Sequence, residues 1–304
     1  MTDSTSRGLT WGKASANKRQ SSKFKTSLAV VIGIDRYSNG IPPLSTAVND
    51  ATKLAEILKE EHGYEVTLLI DEDVTVSRLE TVFGEEFLKQ KKISKDDRLL
   101  VYFAGHGVAS DGENGPEGFL IPQDARREDS STFWPMTELH KALEVLPCRH
   151  MLAILDCCFA GAFRWSSKRD FQPLPPIVYK ERYDRFIRDA AWQVITSASY
   201  DQKALDILSG SMRGEQGARK RQQHSPFALA LFDALDGAAD TRPKNGDGVI
   251  TATELYLYLR DEVEVPAEEL AAHRQTPGLW PLNRHEHGEF IFLVPGHELN
   301  LPPA

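Results

Sequence analysis

Two side chains of the types needed for thiol-based hydrolysis stand in similar settings: His106 in Tyr102-Phe-Ala-Gly-His-Gly107, and Cys158 in Leu155-Asp-Cys-Cys-Phe-Ala-Gly161. A thiol nucleophile needs a base within reach, a place at the edge of the core and donors for the oxyanion. Each of the two follows an apolar run that reads as a buried strand. If those strands are neighbours, imidazole and thiol face each other across one sheet edge. Gly105 and Gly107 flank the histidine, and Ala160 and Gly161 follow the cysteine, so backbone can approach a substrate closely. The backbone N–H groups of Gly107 and Cys158 are then the natural oxyanion donors. Taken singly, a histidine after a strand or a cysteine in a core is more often structural. It is their pairing in glycine-rich turns that points to catalysis.

The elements that must position this pair follow from apolar spacing. Leu28-Ala-Val-Val-Ile-Gly-Ile34 is a continuous, β-branched run, as expected of a strand buried on both faces. Pro42-Pro43 breaks the chain. Ala47, Ala51, Leu54 and Leu58 then recur at helical spacing, which predicts a helix from Ser45 to His62 closed by Gly63. Further strands are expected at Glu65 to Ile70, Arg98 to Phe103, His150 to Leu155 and Trp192 to Thr196, with a last one at Glu289 to Val294. Helices are expected from Val74 to Lys92, from Thr137 to Leu146, from Ser225-Pro226 to about Leu235, and after the capping box Thr251-Ala-Thr-Glu254. Strand and helix alternate through the first half. The fold class is therefore α/β, a mostly parallel six-stranded sheet with helices on both faces. In open sheets of this kind function gathers at the carboxyl ends of strands, where His106 and Cys158 both lie. Phe163 to Asp189 and Ser209 to His224 carry no period and read as long loops.

Bulk properties narrow the function classes. The 304 residues are 41% hydrophobic and 26% charged, enough for a real core. A net charge of −8 argues against a nucleic-acid binder. No run of the roughly 18 apolar residues that span a bilayer occurs, so no membrane partner is expected. The three cysteines, Cys148, Cys157 and Cys158, make no disulfide framework and suit a reducing cytoplasm. Neither C-x-x-C nor H-E-x-x-H occurs, so no metal and no cofactor are expected. Residues 1–25 hold six Lys and Arg against the single acid Asp3 and read as a disordered basic tail.

The two signature segments resemble those of the caspase and metacaspase superfamily of cysteine peptidases. In that family the histidine follows the third strand, and the cysteine follows the fourth in an Asp-x-Cys-x-x-Gly pattern. The resemblance makes His106 the base and Cys158, not Cys157, the nucleophile. Val31-Ile-Gly-Ile-Asp-Arg-Tyr37 and Leu44 to Asp50 are similar to the family's first strand and helix. The resemblance implies a caspase-like three-layer α/β/α sandwich. It divides the chain into one peptidase domain over 26–296 and a tail over 297–304. Within the domain lie a large-subunit-like part (26–163), a basic linker (164–189) and a small-subunit-like part (190–296).

The same resemblance, with its departures, bears on specificity. True caspases place Gln two residues before the cysteine and hold an aspartate substrate with arginines. This chain has Asp156 there, and Asp50 matches a second pocket carboxylate of the metacaspase-like branch. Two carboxylates imply cleavage after Arg or Lys, Arg being favoured by bidentate geometry. The family is often cut between its fourth and fifth strands. Here that stretch offers Arg164, Lys168, Arg169, Lys180, Arg182, Arg185 and Arg188, and the second loop offers Arg213, Arg219, Lys220 and Arg221. Processing by the enzyme itself or by an upstream protease or regulatory partner is the expected activation. Many metacaspases need calcium, but a ligand position about seven residues after the cysteine is Trp165 here. Asn245-x-Asp247-Gly248-x-Ile250-x-x-x-Glu254 resembles most of an EF-hand loop, with Pro243 at its first ligand position. It is read as a turn feeding the Thr251 cap, with calcium as the alternative. Two further alternatives are a catalytically silent caspase-like scaffold and a nucleotide-binding protein. The second lacks any G-x-x-x-x-G-K-[ST] or G-x-G-x-x-G after a strand.

Overall fold

The computed structural model describes residues 24–84, 91–112, 115–166, 183–199, 201–202, 223–242, 244–271 and 275–296. The chain runs β1 (Ser27–Gly33), α1 (Ala47–Glu60), β2 (Glu65–Ile70), α2 (Val76–Val82), β3 (Arg98–Ala104), β4 (Gly107–Gly112), β5 (Gly115–Leu120) and β6 (Trp134–Pro135). It continues through α3 (Met136–Glu144), β7 (His150–Asp156), α4 (Tyr183–Arg188), β8 (Ala191–Thr196), α5 (Pro226–Asp233), β9 (Val249–Thr251), α6 (Ala252–Ala271), β10 (Gly278–Pro281) and β11 (Ile291–Leu293).

Six strands form the central sheet in the order β10-β8-β7-β3-β1-β2. All neighbours are parallel except β10, which runs antiparallel to β8. Strand side chains alternate between the two faces, as the pleat requires. Val30, Ile32, Val101, Phe103, Ala153 and Leu155 share a core with Leu79 and Val82 of α2 and Leu139 and Leu143 of α3. Their neighbours Ala29, Val31, Leu100, Tyr102, Leu152 and Ile154 share the opposite core with Leu54 and Leu58 of α1, Phe227 of α5 and Leu255 of α6. This accounts for the unbroken apolar runs: strands covered on both sides have no polar face to show. Leu54 and Leu58 are fully buried, so truncating either to Ala costs about 2–5 kcal/mol.

Several readings need correction. Of the helix expected from Val74 to Lys92, the described part is α2, capped by the Thr75 side chain, which accepts from the Arg78 N–H, and Lys91, which is again helical. α2 stops at Phe83 and Gly84, and residues 85–90 lie outside the described set. The sixth strand of the sheet is β10; β11, inside Glu289 to Val294, pairs instead with β9 in a separate two-stranded sheet. β10 ends in Pro281, a residue that only an edge strand tolerates. A third sheet, β4-β5-β6, was not foreseen. Its Gly-, Ser- and Asp-rich strands carry little β-propensity, and pairing rather than composition makes them strands. The stretch read as a loop from Phe163 to Asp189 holds a short 3₁₀ segment over Ala160–Ser166, with Arg164 in it, and α4, with Arg185 and Arg188 in it. Lys168, Arg169, Lys180, Arg182, Arg213, Arg219, Lys220 and Arg221, like the tail over 1–23, lie outside the described residues.

Candidate active site

β3 and β7 are adjacent and parallel, with Ala104 opposite Asp156. His106 and Cys158 each lie two residues beyond that matched pair, so the register sets both at one level above the sheet. From β1 the chain turns one way to β2, and β3 lies on its other side. The sheet therefore has its topological switch point between β1 and β3, where a crevice opens at the strand ends. The loop after β1 forms one wall of that crevice.

That loop is pinned from below. Asp71 Oδ1 accepts the N–H groups of Asp35 and Arg36, each at 2.9 Å. Asp35 Oδ1 in turn accepts the N–H of Ala47 at 2.8 Å, fixing the start of α1. The loop then delivers two groups to His106. The Tyr37 hydroxyl accepts the His106 N–H at 2.7 Å, and the two rings lie tilted with centroids 4.8 Å apart. Burial pushes the Tyr37 hydroxyl well above its ordinary range, so it stays neutral. The Pro42 carbonyl lies 2.9 Å from His106 Nε2. A carbonyl can only accept, so Nε2 carries a proton, and in the neutral imidazole the lone pair is then on Nδ1. An imidazole held in this way can take a proton at Nδ1.

The two cysteines differ in access. Cys157 is 1% exposed, and burial first, then the neighbouring Cys158 and Asp156, drives its thiol well above the ordinary cysteine range. Cys158 is partly exposed. Phe159 next to it sits at φ 56°, a left-handed conformation that costs a non-glycine residue about 1–2 kcal/mol. Its N–H donates to the Gln202 carbonyl at 2.8 Å, and the N–H of Gly161 donates to the Ala198 carbonyl at 3.0 Å. The strained turn that carries the thiol is thus tied to the segment following β8.

The histidine and cysteine turns touch through Gly107. A Cβ at that position would lie 2.4 Å from the Cys158 carbonyl oxygen and 3.0 Å from Cys157 Sγ. The Ile121 N–H donates to the His106 carbonyl at 3.1 Å, while Gly107 faces Leu120 across β4 and β5. That makes Gly107 and Leu120 a pair without mutual hydrogen bonds, and the Gly107 N–H points away from β5.

Asp50 and Asp156 also come together, through a residue that sequence reasoning treated only as a helix cap. Asp50, in the first turn of α1, is 1% exposed and Asp156 is 7% exposed. Asp50 Oδ2 accepts the Ser225 N–H at 3.1 Å, and Asp156 Oδ2 accepts the Ser225 hydroxyl at 3.1 Å. Ser225 Oγ also accepts the Ala228 N–H at 3.0 Å and so caps α5. Asp50 Oδ1 accepts His224 Nδ1–H at 2.7 Å. Burial raises the Asp50 carboxyl, and the His224 and Ser225 bonds hold it back. The Tyr102 hydroxyl beneath is driven far up by burial and then by Asp156 and Asp50. The arrangement is a buried acidic pair at the strand ends, suited to a cationic side chain.

The loop that resembles an EF-hand is closed by its own bonds. Asp240 Oδ1 accepts the N–H of Asp247 and Oδ2 that of Gly248, at 3.0 and 2.8 Å. Asp247 Oδ1 accepts the Val249 N–H at 3.0 Å. Glu254 Oε2 accepts the Thr251 N–H at 3.0 Å, and Thr251 Oγ accepts the Glu254 N–H at 3.1 Å, completing the capping box. Among the described residues no group of three or more His, Cys, Asp or Glu side chains is placed to hold a metal ion. Among them, too, no helix is long and apolar enough to cross a membrane.

Sequence reasoning missed Tyr37, Pro42, His224 and Ser225. Tyr37 lies within a quoted motif and Pro42 within a chain break; both act on His106 from the strand-end loop after β1. Nothing in the spacing of His224 and Ser225 marks them. They reach Asp50 across 174 and 175 residues of chain.

Residues 26–285 match the caspase domain family, peptidase C14. The chain is 24% identical over 233 residues to Metacaspase-1B of Aspergillus oryzae, covering 70% of this chain and 54% of that protein. It is 25% identical over 151 residues to Metacaspase III c of Phaeodactylum tricornutum, covering 45% and 43%. A probable protease of a Desulfuromonadales bacterium is 22% identical over 264 residues, 77% of this chain and 29% of that protein. The chain thus spans about half or less of the curated relatives it matches. Among solved structures, caspase-1 of Spodoptera frugiperda aligns with TM-score 0.51 at 14% identity, over 88% of this chain and 90% of that one. A Geobacter sulfurreducens protein aligns with TM-score 0.52 at 16% identity, over 84% and 93%. At these identities the likeness is one of fold.

Proposed function

The chain belongs to the caspase domain family, and from that premise we propose that it is a cysteine endopeptidase cleaving proteins after Arg or Lys. His106 Nδ1 takes the Cys158 thiol proton, and the thiolate attacks the scissile carbonyl carbon. The oxyanion of the tetrahedral intermediate is met by the N–H groups of Gly107 and Cys158. The proton on His106 then passes to the leaving amine, and water hydrolyses the acyl-thioester by the reverse sequence. The observation that carries this reading is the contact at His106 Nε2: the Pro42 carbonyl holds the Nε2 proton, which leaves Nδ1 as the base.

Asp50 and Asp156 are the groups that receive the substrate cation. Their burial supports this, since a desolvated carboxylate pairs strongly with a guanidinium. Cuts in the basic stretches 164–188 and 213–221, made by this enzyme or an upstream protease, are the proposed activation, and proteins or peptides are the substrates. The reducing cytoplasm is the proposed compartment.

The test is a library of fluorogenic peptides varied at the residue before the scissile bond, read with wild type, Cys158→Ala and His106→Ala. Release after Arg or Lys by wild type alone supports the reading. Cleavage after Asp, or equal turnover by Cys158→Ala, overturns it.

A further inference from the structure

Asp50, one of the two carboxylates proposed for the substrate cation, is already engaged. Both of its oxygens accept: Oδ1 from His224 Nδ1 at 2.7 Å, and Oδ2 from the Ser225 N–H at 3.1 Å. The Ser225 N–H also lies 3.3 Å from Oδ1. His224 is the more exposed partner, with 17% of its side chain accessible against 1% for Asp50. Its ring stands edge-on to Phe232, centroids 5.3 Å apart at 90°, which fixes the plane of the imidazole. Asp156 meets the same capping serine through Ser225 Oγ. Helix α5 is therefore preceded by two consecutive residues, His224 and its N-cap Ser225, that each hold a pocket carboxylate.

We propose that His224 is a specificity-determining residue of this pocket, occupying on Asp50 the position that a substrate guanidinium needs. The inference rests on the reading that the pocket takes Arg or Lys. A guanidinium binds a carboxylate side-on through two parallel N–H···O bonds and needs both oxygens. With Nδ1–H on Oδ1, Asp50 cannot offer that edge unless the imidazole withdraws. An ammonium is a point charge and needs only one acceptor, so it can settle on Asp156 with Asp50 still held. His224 thus penalises Arg more than Lys and narrows the preference that two free carboxylates would give.

The experiment measures kcat and KM on matched Arg and Lys peptides for wild type, His224→Ala and His224→Asn, with circular dichroism on each. Asparagine places an amide N–H close to where Nδ1–H stands and should restore the bond. For His224→Ala the expected result is a KM for Arg lowered about threefold or more, a smaller change for Lys, and kcat within about twofold. His224→Asn should return toward wild-type values. An unchanged or raised KM for Arg in folded His224→Ala overturns the proposal.

If His224→Ala does not fold, the Cys158→Ala protein with labelled histidine is titrated with agmatine, a bare guanidinium probe. A shift of the His224 ring resonance, assigned by its loss in the Asn variant, supports displacement. Saturable agmatine binding with that resonance unmoved overturns it. Failure of the underlying reading looks different: wild type would cleave after neither Arg nor Lys.

Discussion

Gly107 and Cys158 meet backbone to backbone, so closely that a Cβ at 107 would lie 2.4 Å from the Cys158 carbonyl oxygen. The glycine belongs to the strand that follows His106, and the cysteine to the turn that follows β7. Only a residue without a side chain lets the two turns share one edge. Gly107→Ala must push them apart by some tenths of an ångström or more. Overpacking of this kind costs about 1–3 kcal/mol. Loss of an aligned oxyanion donor costs about 10²–10³ in kcat. The expected outcome is a folded protein, lower in melting temperature, with kcat reduced by at least the smaller of those factors. Near-normal kcat in Gly107→Ala would show that the approach plays no part in turnover.

The three cysteines should separate by reactivity. Cys148 is buried and its thiol is pushed up to about 12, chiefly by burial. Cys157 is buried too, and burial likewise pushes its thiol well up. Only the thiolate reacts with an alkylating agent, and only where the agent can reach it. Iodoacetamide on the native protein should therefore label Cys158 first, with loss of activity in step. Cys157→Ser should retain most turnover and Cys158→Ala none. Mass spectrometry placing the first label on Cys157 would put the nucleophile one residue earlier.

Asp156→Asn tests the cationic pocket. The Ser225 hydroxyl that donates to Asp156 Oδ2 can still donate to an amide oxygen, so α5 keeps its cap. What is lost is charge. Truncating one partner of a desolvated charge pair costs about 2–5 kcal/mol. The effect should appear as a large rise in KM, or fall in kcat/KM, for Arg peptides with little change in melting temperature. Equal kcat/KM for Arg peptides in both proteins would remove Asp156 from the pocket.

Legibility in the sequence tracked periodicity. Strands β1, β3, β7 and β8 are apolar and buried on both faces, β2 is a half-buried edge strand, and each lies where spacing predicts. Helix ends were less legible: the apolar spacing put a helix start at Val74, yet α2 begins at Val76, after the Thr75 cap. β4 to β6 and β10 become strands through their partners, so composition conceals them. In the candidate site, Asp156 closes β7, and His106, Gly107 and Cys158 follow the ends of β3 and β7, positions that the apolar runs mark in the sequence. Pro42 and His224 were not readable, because each acts on a residue 64 or 174 positions away. No local pattern carries a contact of that span.

Processing is tested by sequencing fragments. Both basic stretches flank β8, whose following segment holds the cysteine turn through Gln202 and Ala198. A cut near either one changes how freely that segment moves. Purified wild type should yield fragments ending in Lys or Arg between 164 and 188 or between 213 and 221. If Cys158→Ala stays intact beside it, the cuts are self-made. An uncut wild type at full activity would refute activation by cleavage.

Glu254 should govern part of the pH dependence of stability. It is 8% exposed and its carboxyl is raised from 4.5 to about 7. Burial is the main cause, with Asp247 and Asp240 adding repulsion and the Thr251 bonds opposing it. The folded state thus binds this proton more tightly than the unfolded chain does. The contribution is fully present below about pH 4.5 and is lost as pH rises through about 7. At one pH unit above that the charged form costs roughly 2–4 kcal/mol. Glu254→Gln keeps an oxygen to accept the Thr251 N–H and cannot titrate. Asp50, Asp247 and Glu289 are also raised by burial, so the informative quantity is the difference between the two proteins. Urea unfolding from about pH 5 to pH 8 should show the Gln variant gaining on wild type, with most of the gain between about pH 5 and 7. Parallel curves would mean that Glu254 has the same proton affinity folded and unfolded.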